Sequence, residues 1–151
     1  MALNFDQYSA KGKEFLKKAS VNMQVEYDEN VAGRIVRAVF HALRDQLSPE
    51  ENLQLLAQLP TVLKGVYVEG WKFSPKHRIR QAGEFFDEVR KHLGTTAAHD
   101  LGNDAMARQR ISGVFEAMAD YVSEGEMEDV CSQLPPDLKK MVVNATTDHL
   151  V

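Results

Sequence analysis

The feature that most constrains the fold is an internal match: residues 31–66 align with residues 106–141 at a constant offset of 75, without a gap. Ordinary composition would give roughly two identities by chance over this length. The identical pairs include Ala32/Ala107, Val39/Val114, Phe40/Phe115, Ala42/Ala117, Ser48/Ser123, Glu51/Glu126, Leu63/Leu138, Lys64/Lys139 and the triplet Gln58-Leu59-Pro60 with Gln133-Leu134-Pro135. Apolar and capping positions match while charged positions diverge, which is typical of two copies of one packing unit.

Hydrophobic periodicity predicts helices in both copies. Apolar residues recur every three or four positions, and no alternating pattern is long enough to build a sheet. The helical spans that we predict are 5–19, 31–47, 48–59, 60–67, 81–93, 106–122, 123–134 and 135–145. The sequence therefore predicts an all-α fold of eight helices, arranged as two four-helix pseudo-repeats packed into one helical bundle domain.

With 151 residues, the chain has the length of a single domain that can bury its own core. We expect the four parts to be pseudo-repeat one at about 5–67, a linker at about 68–80, pseudo-repeat two at about 81–145 and a short C-terminal tail at 146–151. Neither half is expected to fold alone, because each would expose an apolar face that the other covers.

Two capping boxes mark the start of the third helix in each copy. Ser48 is followed three positions later by Glu51, and Ser123 by Glu126. In such a box the serine hydroxyl accepts a hydrogen bond from the third helical N–H, and the glutamate reaches back to the serine N–H. We expect both halves of this arrangement at both sites.

Charge and cysteine content narrow the class of protein. The net charge of −4 and pI of about 5.7 count against a dedicated nucleic-acid binder. There is no signal-peptide pattern at the start and no apolar run of the ~18 residues that a membrane span needs. The single cysteine, Cys131, suits a reducing compartment. We therefore expect a cytoplasmic protein without a membrane segment.

A row of basic side chains is predicted along one face of the second helix. Its members, at spacings of three, four and three, are Arg34, Arg37, His41 and Arg44. Such a row could contact phosphates or an acidic partner. The alternative is a solvated face whose charges pair with acids such as Asp45, and we favour it because exposed charge rows rarely bind anything.

The linker combines aromatic and basic residues. The members that we single out are Trp71, Lys72, Lys76, Arg78 and Arg80. Aromatic rings interleaved with cations could bind a nucleic acid or a partner protein. Alternatively, the sole tryptophan covers the junction between the copies while the basic groups extend to water. We favour this second interpretation.

Catalytic or metal-binding patterns are not evident. His92, His99 and Asp100 are close in sequence, but nothing directs them to one point. Cys131 occupies an apolar helix position and is expected to be buried and inert. The acidic residues Glu126, Glu128 and Asp129 are interpreted as solvated charge. We therefore predict no catalytic residues, no metal and no cofactor.

Three segments resemble one family. Residues 38–51 (AVFHALRDQLSPEE), then 57–60 (AQLP), then Gly70-Trp71 are similar to the small bacterial family known as domain of unknown function 2267. The resemblance extends over nearly the whole chain. It implies an all-helical, repeat-built, soluble bacterial protein, and it brings no catalytic residues with it.

The function that the sequence favours is a non-enzymatic interaction or regulatory module with a protein partner. Two alternatives stay open. One is binding of nucleic acid or another polyanion through the basic row and the linker. The other is a small-ligand or enzyme site in the groove between the two repeats, where helical bundles often hold ligands. Assembly into a homo-oligomer is also possible.

Overall fold

The computed structural model describes residues 2–73 and 77–149, with side chains to residue 147, and the described residues contain helices and no strand. The helices are α1 Phe5–Met23, α2 Glu29–Arg44, α3 Pro49–Gln58, α4 Thr61–Val68, α5 Ala82–Leu93, α6 Ala97–Asp100, α7 Asp104–Ala119, α8 Glu124–Cys131 and α9 Pro136–His149, with a 3₁₀ turn at Gly94–Thr96. The all-α prediction is confirmed. Each of the eight predicted spans corresponds to one of the longer helices, and the four-residue α6 is additional.

Several helix bounds differ from the predicted ones. α1 continues four residues beyond the predicted end at 19, and α9 includes the first four residues of the predicted tail. α2 ends at Arg44 rather than at 47, because the chain must turn before the cap of α3. α2, α3 and α4 begin 75 positions before α7, α8 and α9 respectively. The duplication itself stays a prediction from the sequence.

The first helix of each half packs against the other half. α1 makes its most extensive contacts with α7, and α5 makes its most extensive contacts with α2. Aromatic rings fill the centre: Phe15 lies 5.9 Å from Phe40, and Phe85 lies 6.3 Å from Phe115, between ring centroids. All four rings are buried. One continuous apolar core therefore spans both halves.

The serine caps are confirmed, but the glutamate half of each predicted capping box is wrong. Ser48 Oγ accepts from the Glu51 N–H at 3.1 Å, and Ser123 Oγ accepts from the Glu126 N–H at 3.2 Å. The serine N–H groups instead donate to glutamines of the opposite half. Ser48 N donates to Gln133 Oε1 at 2.8 Å, and Ser123 N donates to Gln58 Oε1 at 2.7 Å. Each helix start is thus completed by the other half.

Candidate functional site

The basic row on α2 is bound by other parts of the chain. Arg34 donates from Nε to Asp100 Oδ2 at 2.7 Å and from Nη2 to Asp100 Oδ1 at 3.0 Å. This bidentate pair joins α2 to the end of α6. Arg37 Nη2 donates to Glu69 Oε1 at 2.7 Å, in an ion pair whose two side chains are about half exposed. These two guanidinium groups already have carboxylate partners.

His41 and Arg44 complete the C-terminal end of α4. The last carbonyl oxygens of a helix have no partner within the helix and need outside donors. His41 Nε2 lies 2.8 Å from the carbonyl oxygen of Val66. Arg44 Nη1 donates to the carbonyl oxygens of Tyr67 and Glu69, both at 2.7 Å. The two side chains therefore fix α4 and the start of the linker against α2.

Burial of His41 and Arg44 corrects the expectation that the whole row is solvated. The sequence shows which face of α2 is polar, but α1, α4, α5 and α7 cover most of this helix. Burial lowers the pKa of His41, and the hydrogen bond to the Val66 carbonyl only partly offsets that effect. Burial also lowers the pKa of Arg44. Neither group is placed to meet an external phosphate.

A buried polar network extends from Arg44. Asn52 Nδ2 donates to the carbonyl oxygens of Arg44 at 3.0 Å and Leu47 at 3.3 Å. The Tyr67 hydroxyl donates to Asn52 Oδ1. Burial raises the pKa of Tyr67, which keeps this hydroxyl neutral and able to donate. The network stabilises the junction of α2, α3 and α4.

Asp100 is fully buried and is held in its charged form. Burial alone would raise the pKa of this carboxyl, but hydrogen bonds from Arg34, His99 and Thr96 outweigh it and lower the pKa to about 2. Arg110 donates to its main-chain carbonyl oxygen. His99 and Asp100 are thus part of a hydrogen-bonded ion pair with Arg34, which connects the two halves of the chain.

We expect Asp100→Asn to lower the melting temperature at pH 7 by a few degrees, because Arg34 loses its bidentate carboxylate. The folded-state pKa lies below the usual 3.8, so this stabilisation is present above about pH 4 and is lost as the pH falls through 2. The difference in melting temperature between wild type and variant should therefore stay constant from pH 7 to about pH 4 and shrink as the pH falls from about 4 to 2. Asp104→Asn, which removes an exposed carboxylate bound to Arg90, is the control. An offset that stays constant down to about pH 2 would contradict this role.

Both ends of the linker lie at the C-terminal end of α2. On one side, Arg44 holds the carbonyl oxygen of Glu69. On the other, Gln46 Nε2 donates to the carbonyl oxygen of His77 at 3.1 Å, and Gln46 Oε1 accepts from the Ile79 N–H at 3.1 Å. Arg44 and Gln46 are two positions apart, so the linker leaves and returns at one place on the surface.

Trp71 and Phe73 form an aromatic pair on this part of the surface. Trp71 is half-buried, with its ring edge-on to buried Tyr67 at 6.3 Å between centroids. Its ring also lies against Phe73, with centroids 4.5 Å apart and planes tilted by 32°. Phe73 is 77% exposed. Trp71 therefore packs against the buried ring of Tyr67 and also supports an exposed ring. That it covers the junction between the two copies stays a prediction.

The basic residues of the linker have different positions. Lys76 lies outside the described residues. The other three are exposed, namely Lys72, Arg78 and Arg80. We use the name linker surface for these three exposed residues and the aromatic pair: Trp71, Lys72, Phe73, Arg78 and Arg80. The binding role of the linker surface stays a prediction. The four residues of the α2 row do not add free cations to it, because each of them is bound to an acceptor within the chain.

A surface cavity of about 590 Å³ lies among α7, α8 and α9. Its apolar lining includes Ala119, Val122, Met127, Cys131 and Val143. Burial raises the pKa of the Cys131 thiol. This cavity lies within the second half, whereas the alternative left open by the sequence was a ligand or enzyme site in the groove between the two repeats. That alternative stays a hypothesis.

A pair of glutamates that sequence reasoning missed lies between α3 and α8. Glu126 was predicted to be solvated, but it is only 6% exposed, and it faces Glu51, which is 8% exposed. Carboxylate oxygens of Glu51, Glu126 and Asp129 all lie within 4.8 Å of one another. Glu128 and Asp129 are exposed, as expected. The one available signal was that Glu51 and Glu126 occupy matching positions at the offset of 75.

These features define an all-helical domain whose halves complete each other's helix ends, with an exposed linker surface. A sequence model of the family described as "Uncharacterized conserved protein (DUF2267)" matches residues 12–141. The chain belongs to this family, which confirms the resemblance noted in the sequence. No curated protein matches the chain. Among the described helices, none combines the length and apolar character needed to cross a lipid bilayer.

Proposed function

We propose that the domain is a non-enzymatic interaction module of the cytoplasm that binds an acidic segment of a partner protein through the linker surface. The observation that carries this proposal is the Trp71–Phe73 pair, in which a ring that is 77% exposed rests on a half-buried one. Large exposed rings next to basic side chains are typical of the anchors of protein interfaces. Trp71 holds Phe73 in place, so less conformational entropy is lost on binding.

Charge favours an acidic protein segment over a nucleic acid. Lys72 lies between the two aromatic residues in sequence, Arg78 follows Phe73 by five positions, and both basic side chains are exposed. The α2 row could have extended this surface, but Arg34 and Arg37 have carboxylate partners, and His41 and Arg44 are buried. A few cations on a chain with net charge −4 support a short acidic peptide better than a row of phosphates.

Site-specific photo-crosslinking tests this proposal. The full chain carries a photoreactive phenylalanine derivative at position 73 in the native host, or at position 53 as a control. Leu53 lies on α3 and is 61% exposed, so it reports random collisions of an apolar side chain. We expect one identified partner with an acidic segment to be captured at position 73 and not at position 53. Adding Lys72→Glu and Arg78→Glu should reduce its capture at least tenfold.

The purified partner and the full chain then give the affinity directly. Phe73→Ala should raise the dissociation constant about tenfold or more, and Leu53→Ala should leave it unchanged. Equal capture at both positions would contradict the proposal, and so would capture only of a second copy of this chain. Fluorescence anisotropy with labelled DNA at ~50 and ~150 mM salt tests the polyanion alternative. Sub-micromolar DNA binding at the higher salt would favour that alternative instead.

A further inference from the structure

Glu51 and Glu126 are turned toward each other. The serine N–H groups that they would usually accept from are bound instead by glutamines of the opposite halves. In a capping box, each carboxylate would accept from the serine N–H three positions earlier. Here the N–H of Ser48 donates to Gln133, and the N–H of Ser123 donates to Gln58. The two carboxylates therefore have no capping partner, and they meet where α3 contacts α8.

Both carboxylates are more than nine-tenths buried, and both leave an oxygen without a donor. Within the described part of the chain, no N–H or O–H group donates to Oε1 of Glu51 or to Oε1 of Glu126. A buried acceptor without a partner destabilises the fold, and a second buried negative charge nearby adds to that cost. The arrangement calls for a positive species between the two side chains.

Two ionised carboxylates at this separation repel each other, and their burial reduces the screening by water. A proton held between Glu51 and Glu126 would relieve the repulsion, and so would a metal ion.

We propose that Glu51, Glu126 and Asp129 bind one divalent cation that prefers oxygen ligands, such as Mg²⁺, Mn²⁺ or Ca²⁺. The ligand oxygens lie within 4.8 Å of one another. Two metal–oxygen bonds of about 2.0–2.6 Å span at most roughly 4–5 Å, so one ion can reach all three oxygens with little movement of the side chains. All three donors are carboxylates, and the site offers none of the nitrogen or sulfur ligands that favour zinc. Glu126 and Asp129 are three positions apart on α8, so they share one face of that helix.

The position of Asp129 supplies the route for the ion. Its side chain is exposed, whereas Glu51 and Glu126 are buried. An ion can therefore reach the buried pair past Asp129, and water can fill the remaining coordination positions on that side. The bound ion would neutralise the two buried carboxylates. It would also join α3 to α8, in addition to the hydrogen bonds that the glutamines make between the halves.

Titration of the full-length, metal-free protein with Mn²⁺ at pH 8 tests this proposal, with electron paramagnetic resonance to count bound ions. We expect one Mn²⁺ per chain in the wild type. Glu51→Gln and Glu126→Gln, which keep the side-chain size, should each weaken binding at least tenfold. Glu50→Gln is the matched control, because it removes the same charge from an exposed neighbour on the same helix turn. It should leave the binding unchanged.

Melting temperature gives a second readout that does not depend on the spectroscopic signal. Mg²⁺, Mn²⁺ or Ca²⁺ at a hundredfold excess over the dissociation constant should raise the melting temperature of the wild type by about 5–10 °C. The same ions should not change that of Glu126→Gln. The proposal is overturned if the wild type shows no saturable binding, or if Glu50→Gln loses as much affinity as Glu126→Gln. A Glu126→Gln variant that melts higher than a wild type indifferent to metal would instead show a shared proton.

Discussion

A chain that ends at residue 75 is expected to show no cooperative thermal unfolding, whereas the full chain should melt in one sharp transition. The reason is that the first helix of each half packs on the other half, α1 on α7 and α5 on α2. Without the second half, Phe15 loses the ring of Tyr121, 5.4 Å away, and Met23 loses its contact with Gly113. The apolar face of the fragment would then be exposed to water, which removes most of the driving force for folding. Circular dichroism at 222 nm against temperature measures this.

Mixing fragments 1–75 and 76–151 is the control for that experiment. If the missing half is the cause, the mixture should regain helix content and a single transition whose midpoint rises with concentration. A sharp transition of fragment 1–75 alone would contradict the prediction and would show two independent domains. The midpoint of the full chain should not depend on concentration if the chain is a monomer.

Helix positions could be predicted from the sequence because periodicity and caps are local signals. Ser48 and Ser123 accept from the third helical N–H groups, as the sequence pattern indicated. What covers a polar face is not a local property. His41 and Arg44 fall on the hydrophilic side of α2, yet they are buried because the carbonyl oxygens at the end of α4 lie beside them. No spacing within α2 reports where α4 ends.

The carboxylate pair was missed for a related reason. Taken one copy at a time, Glu51 and Glu126 each complete a capping box, and an exposed helix start is the usual place for such a glutamate. Their meeting depends on α3 lying against α8 and on the glutamines of residues 58 and 133 crossing between the halves. Because these two segments of matching sequence pack against each other, matching residues can become neighbours. The offset of 75 was therefore the one clue to this pair.

The α2 row and the linker surface show why charge patterns predict function poorly. Each row residue has an internal acceptor, so the same spacing that suggests phosphate binding serves to join helices. The linker surface keeps exposed cations and an exposed ring, but these residues lie outside the described helices, where periodicity gives no information. Only the three-dimensional positions separate occupied charges from available ones.

A substitution at the closest approach of the two halves is the most demanding test of this packing. Gly113 lies on α7 where α1 crosses it, and an added Cβ would sit 2.8 Å from the main-chain nitrogen of Met23 and 3.0 Å from the carbonyl carbon of Asn22. Asn22 Nδ2 also donates to the Gly113 carbonyl oxygen at 3.3 Å. Because main-chain atoms cannot rotate away as a flexible side chain could, α1 and α7 would have to separate.

We expect Gly113→Ala to destabilise the full chain by about 1–3 kcal/mol, the usual cost of overpacking, which lowers the melting temperature by roughly 3–10 °C. Gly33→Ala is the matched control. Gly33 also lies within a helix, and an added Cβ there meets no described atom within 4 Å. Removing a helical glycine at such an open position should instead stabilise the chain by about 0.4–1 kcal/mol. Urea unfolding of both variants gives the free energies. If both substitutions stabilise the protein, α1 and α7 are not in close contact at Gly113. The packing of α1 against the second half would then be wrong.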